Sequence, residues 1–130
     1  MLHPSQFKVN EAWIAFQLND EPVSTQQDGE FNFLALMDSA SCFLLSFTPV
    51  AAAQSEPTKL GAKRLLKEGY AHKNCWPKTL FVPTELAAQF LIAEAERLGI
   101  GVVRVAEDQL LLFIGEAKEG FNKRFGMLGP

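Results

Sequence analysis

The sequence predicts an α/β fold: one mixed five-stranded sheet with three helices, in the order β-β-β-α-β-α-β-α. Three observations carry this expectation. Residues 78–121 read strand, helix, strand, helix, with Pro83 and Gly99 at the joints. Such a crossover is right-handed in about 98% of cases, which makes its two strands parallel. Residues 31–37 and 42–48 are apolar runs separated by Asp38-Ser39-Ala40-Ser41. Asp and Ser side chains bond nearby backbone amides, so this is a tight turn and an antiparallel hairpin. Finally, 130 residues is the length of one domain.

Residues 1–8 read as a loose N-terminal arm. Residues 9–18 alternate, with Ile14, Phe16 and Leu18 on one face and Trp13, Ala15 and Gln17 on the other, which is a strand. Asn19-Asp20-Glu21-Pro22 breaks it, and the polar residues 23–30 read as loop. The run 31–37 is almost wholly apolar and is expected to be buried on both faces. In the strand 42–48, Phe43, Leu45 and Phe47 are expected to face one way.

Ser55, followed by Pro57, is placed to cap a helix running to about Ala71. Its apolar stripe is Ala62, Leu65, Leu66 and Tyr70, with lysines on the other face. Thr84 is expected to cap the crossover helix, where Leu86, Ala87, Phe90, Leu91, Ala95 and Leu98 recur at helical spacing and Gly99 ends the run. The segment from residue 110 is open to two readings. Leu110, Ile114, Ala117, Phe121 and Phe125 form a helical stripe that Asp108 can cap, with a kink or close packing at Gly115. Alternatively, residues 110–114 add a sixth strand to another α+β sandwich.

Composition narrows the classes. Hydrophobic residues are 48% and charged residues 21%, so the chain is globular. Phe occurs 11 times against one Tyr, and a ring with no polar handle belongs in a core or an interface. No apolar run approaches the ~20 residues of a membrane helix, and the N-terminus lacks signal-peptide regions. A cytoplasmic location is expected, with Cys42 and Cys75 reduced. Two cysteines and two histidines give no zinc spacing, and no metal or cofactor is expected. Net charge is −3 but unevenly spread: −6 over residues 1–58, +5 over 59–78, −2 over the rest.

The element order resembles the ribonuclease H-like fold of integrases, transposases and Holliday-junction resolvases, over about residues 9–125. Separately, Asp38-Ser39-Ala40-Ser41-Cys42, Leu65-Leu66-Lys67-Glu68-Gly69, Leu80-Phe81-Val82-Pro83 and Gly115-Glu116-Ala117-Lys118-Glu119-Gly120-Phe121 resemble a small bacterial family of uncharacterised proteins, which implies no activity. The first resemblance implies two divalent cations between carboxylates: one midway along the first strand, one ending the strand at 79–82, one on the last helix. Here the first position reads Ile14-Ala15-Phe16 and the second Val82-Pro83-Thr84. The candidate acids are therefore Glu116 and Glu119 on the last helix, Glu85 in a first helical turn, and Asp38 or Asp20 as displaced ligands.

Each has a plainer explanation. Glu85 suits a helix N-terminus by dipole alone, and Asp38 is a turn former. The basic face of Lys59, Lys63, Arg64 and Lys67 is a candidate for phosphate or nucleic acid, or for facing the acidic N-terminal region within the chain or between subunits. Cys75, near Lys73, Lys78 and His72, reads as structural beside Trp76. The leading expectation is a non-catalytic protein-interaction module, self-associating as a homodimer. The alternatives are a divergent metal-dependent nuclease and nucleic-acid binding through residues 59–73. No membrane association is expected.

Overall fold

The computed structural model describes residues 2–27 and 29–126. A 3-10 turn at Pro4–Gln6 precedes β1 (Ala12–Gln17), β2 (Val23–Thr25), β3 (Gly29–Asp38), β4 (Leu44–Ala51), α1 (Lys59–Lys73), β5 (Thr79–Pro83), α2 (Gln89–Arg97), β6 (Gly101–Val105) and α3 (Leu111–Gly126). The fold is α+β with a mixed sheet. β1 pairs antiparallel with β3 and parallel with β5, and β5 pairs parallel with β6. β3 pairs with β4 over the same residues that pair with β1, so those two strands flank it. Phe31 pairs with Val23 of β2 and Ala51 of β4, which puts β2 on the edge used by β1. The sheet therefore runs β4-β3-β1-β5-β6, with β2 continuing the line of β1.

β1 is central and nearly all of it is buried. Trp13 and Ala15 face α1 and α2 in a cluster with Leu36, Leu65, Leu66, Leu80, Val82 and Leu91. Ile14 and Phe16 face α3 in a second cluster with Phe81, Phe113 and Ile114. The alternation expected of residues 9–18 holds over Ala12–Gln17, with polar Gln17 at the rim, but residues 9–11 form a turn with Asn10 at φ 63° instead of extending the strand. Helix α1 approaches closely because Gly69 has no side chain: a Cβ there would lie 2.7 Å from Leu36 Cδ2 and 3.3 Å from Trp13.

Several expectations are corrected. The sheet has six strands, because residues 23–25 of the expected loop pair with β3. Asn19 makes this possible. Its Oδ1 accepts from Phe33 N–H (2.8 Å) and its Nδ2 donates to Glu21 C=O (2.7 Å), filling the ladder between β1 and β2. Residues 110–114 are not a strand; a 3-10 turn at Glu107–Leu110 runs into α3, following the buried stripe of Leu110, Phe113 and Ile114. Asp108 does not cap from outside: it lies within the 3-10 turn, whose N-cap is Ala106. The close packing expected at Gly115 is absent. Phe125 lies outside the described side chains.

Phe43, Leu45 and Phe47 do not share a face. The register slips at Leu45, so Leu45 is buried towards α1 while Phe47 meets Phe33 on the α3 side, ring centroids 6.0 Å apart. This is the action of a β-bulge. The cap of α1 is Thr58, whose hydroxyl accepts from Gly61 N–H, and Ser55 lies upstream. The N-terminal arm is docked: Phe7 packs on Phe81 and Phe113 at 5.6 and 6.0 Å.

Helix α2 starts at Gln89, five residues after Thr84, and Ala88 offers no side-chain cap. The cap is supplied from a distance. Glu56 accepts from Gln89 N–H at 3.1 Å and Phe90 N–H at 3.0 Å, which satisfies two orphan donors with a charge favoured by the helix dipole. It also ties the β4–α1 connection to α2. Glu56→Ala is expected to lower stability by about 1 kcal/mol in urea unfolding, with Glu56→Gln retaining part of it.

Candidate functional site

Parallel β1 and β5 end on the same side of the sheet, and α3 passes over that rim. Gln17, Asn19, Asp20, Pro83, Glu85, Leu86, Glu107 and Lys118 line a solvent-open cleft of about 230 Å³ there. It stands on the elements that a ribonuclease H-like enzyme uses for its acids. Its contents differ. Lys118 Nζ lies 2.9 Å from Asp20 Oδ1 and 2.9 Å from Glu107 Oε1, its side chain only 19% exposed. Asn122 Nδ2 donates to the other Asp20 oxygen at 3.1 Å. Glu85 accepts from the Thr84 hydroxyl and from Glu107 N–H, both at 3.0 Å. An ammonium thus clasps the β1–β2 loop to the turn before α3, and Glu85 joins the β5–α2 loop to that same turn.

The charges respond accordingly. Asp20 is held below its ordinary value of 3.8, by hydrogen bonding and then by the charge of Lys118. Burial works against the Lys118 ammonium, but bonding to Asp20 and Glu107, with their charges, lifts it above 10.5. Glu85 is lowered by its own backbone N–H, then by Glu107 N–H and the Thr84 hydroxyl.

The sequence-predicted acids do not converge. Asp38 is fully buried at the β3–β4 turn, where Oδ1 accepts from Asn10 N–H (2.6 Å) and Oδ2 from Ser41 N–H (2.9 Å) and its hydroxyl (2.7 Å). It is a turn organiser with its acceptors engaged. Glu116 is exposed on the other flank of α3. There, after burial and Asp38, it helps raise the Cys42 thiol. Glu119 faces solvent, 4.0 Å from Lys123. Glu85 lies in a loop rather than a first helical turn. Of the five, only Asp20 and Glu85 share the cleft.

The four basic candidates divide as well. Lys59 sits 5.6 Å over the Phe90 ring and Lys63 lies close enough to lower Glu94, so both lean towards α2, while Arg64 and Lys67 are exposed farther round α1. Cys75 is exposed, its sulfur accepting from Asn10 Nδ2 at 2.6 Å. Sequence reasoning missed Lys118, Glu107, Gln17 and Asn19. The available signal for Lys118 was its place four residues after buried Ile114, beside the apolar stripe.

A divalent cation does not fit this arrangement. Among the described residues, no three His, Cys, Asp or Glu side chains converge to hold a metal ion. The central β1 positions are buried apolar side chains, β5 ends in Val82-Pro83, and an ammonium already engages Asp20 and Glu107.

No family model matches the chain, and no curated protein is similar to it in sequence. Many solved structures share the fold, among them two retroviral ones. One is the simian T-cell lymphotropic virus intasome in complex with PP2A regulatory subunit B56 gamma: TM-score 0.59, 16% identity, 88% of this chain and 39% of that one. The other is the HTLV-2 integrase catalytic core domain in complex with magnesium, in dimeric form: TM-score 0.53, 12% identity, 84% of this chain and 82% of that one. The fold is ribonuclease H-like. Among the described residues no helix is long and apolar enough to cross a membrane.

Lys118→Met is expected to return the Asp20 carboxyl towards 3.8 in an NMR titration. Because Asp20 is lowered and Lys118 raised, the clasp stabilises the fold between the two unfolded values. That contribution fades as pH falls through the depressed Asp20 value or rises through the elevated Lys118 value. Unfolding midpoints of wild type and variant should converge at both extremes. Asp38→Ala, which leaves the part-buried N–H groups of Asn10 and Ser41 without their acceptor, is expected to cost about 2 kcal/mol by denaturant unfolding.

Proposed function

We propose that this chain is a non-catalytic interaction module of ribonuclease H-like fold. One observation carries the reading: the Lys118 ammonium, bonded to Asp20 and Glu107, stands at the rim where this fold gathers metal-binding acids. An ammonium donates hydrogen bonds and offers no coordination position, and its positive charge opposes a second cation beside it. The deeper acid position is filled by Ile14, Ala15 and Phe16, fully buried in apolar clusters. What remains for function is surface. Phe43, Phe47, Phe90, Leu60, Leu111 and Leu112 are large apolar side chains left exposed, and such surface supports binding to protein, self-association included.

A divergent metal-dependent nuclease is the second reading, favoured by the fold shared with integrase cores. One experiment separates the two. The purified protein, incubated with Mg²⁺ or Mn²⁺ and with duplex DNA, single-stranded DNA or RNA, is expected to cleave none of them. Calorimetry is expected to detect no Mn²⁺ binding at millimolar metal. Metal-dependent cleavage abolished by Glu85→Gln or Glu116→Gln would establish the nuclease and end the non-catalytic reading.

A further inference from the structure

The outer edge of β4 is the surface on which the molecule offers most and uses least. Residues 42–51 carry no charged side chain, and β4 pairs with β3 alone among the described residues. Natural edge strands are blunted with charge, proline or a bulge, because a row of free N–H and C=O groups templates further pairing; β4 has Pro49 and a bulge near Leu45 but no charge. The opposite edge, β6, is only five residues long and includes Arg104. β4 has eight residues, flanked and lined by Phe43 (51% exposed), Leu44 (38%) and Phe47 (58%).

The hydrogen-bond pattern tells which backbone groups are free. Phe33 turns its N–H to Asn19 Oδ1 and its C=O to Leu18 N–H, both away from β4. Phe33 is paired with Pro49, so Pro49 occupies a position without ladder bonds to β3, as its missing N–H requires. Antiparallel pairs alternate, and Phe47, opposite Ala35, falls in the same class as Pro49. The N–H and C=O of Phe47 therefore point outward, with the Pro49 carbonyl and the Ala51 N–H further along.

We propose that the occupant of this edge is a second copy of the same chain, docked antiparallel about a two-fold axis near Phe47, so that the two sheets become continuous. This deepens the self-association proposed above by assigning its surface. An outward donor and acceptor on one residue are their own complement under a two-fold axis. An uncharged strand meets its copy without like-charge repulsion, although each chain carries −3 overall.

The helix above the edge adds charge complementarity. α1 packs on β4 through Ser46, whose hydroxyl donates to Leu65 C=O at 2.8 Å, and His72 lies edge-on to Phe43. Lys59 and Lys63 mark the α2 side of that helix. On the far flank, Arg64 and Glu68 are exposed one turn apart and make no ion pair within the chain among the described residues. A two-fold axis turns such a pair into two reciprocal contacts, Arg64 to the second copy's Glu68 and back.

Sedimentation velocity of the full chain from about 1 to about 500 µM tests this. Wild type is expected to pass from monomer to dimer, and Phe47→Lys to remain monomeric while still folded, its thermal unfolding in dilute solution lowered only by the lost Phe33 ring contact. Arg64→Glu and Glu68→Arg should each weaken the dimer at least about tenfold, and the double reversal should recover it. Amide exchange at Phe47 should slow with protein concentration, an observation that requires no variant. Wild type monomeric throughout would overturn self-association altogether, and capture of an unrelated extended peptide at this edge by such a monomer would reassign it. A dimer untouched by Phe47→Lys, with Phe47 exchange independent of concentration, would move the interface elsewhere. Nuclease activity would end the non-catalytic reading and leave these results as they stand.

Discussion

Burial of β1 on both faces is the constraint from which the rest follows. One short strand holds the antiparallel half of the sheet to the parallel half, through β3 on one side and β5 on the other. Trp13 and Ala15 fill one core cluster, Ile14 and Phe16 the other. An ionised carboxylate at the strand's centre would need a partner to offset a desolvation cost of several kcal/mol. Apolar residues remove that need. They strengthen both clusters at the position where the fold's chemistry would ask for an acid.

The rim above β1 is held by polar side chains instead. Lys118 lies across Asp20 and Glu107, and Glu85 caps the Glu107 turn. The Lys118–Asp20 and Asn122–Asp20 bonds join segments about a hundred residues apart in sequence. Glu56 at the start of α2 and Asn10 at Cys75 are ties of the same type. Polar side chains in this molecule mostly close loops onto one another around an apolar sheet, and the cleft at the strand ends is one of those closures.

The phenylalanine content divides along the same line. Phe16 and Phe113 are buried in the α3-side cluster, and Phe81 nearly so. Phe33 and Phe121 are part-buried, with rings 5.6 Å apart. Phe47 stands beyond the reach of α3, because one helix covers that face of a five-strand-wide sheet, and Phe43 is exposed on the other face beside His72 of α1. Rings too far out for their own core are available to another surface.

Local signals in the sequence determined most of the secondary structure. The alternation of Trp13 to Gln17, the Asp38–Ser41 turn, the stripe of Ala62, Leu65 and Leu66, and the strands at 79–82 and 101–105 all rest on contacts within a few residues of one another, and periodicity records those. What tertiary structure alone decided depends on partners distant in sequence. β2 exists because Asn19 reaches Phe33. α2 starts five residues after Thr84, where Glu56 supplies the cap. Leu45 turns inward because the register slips against Met37. The candidate site was legible only in its negative half, as Ile14-Ala15-Phe16 and Val82-Pro83 where acids would stand. Its positive content, Lys118 between Asp20 and Glu107, needed α3 laid across the strand ends. No sequence period encodes where a flexible lysine finds its carboxylates.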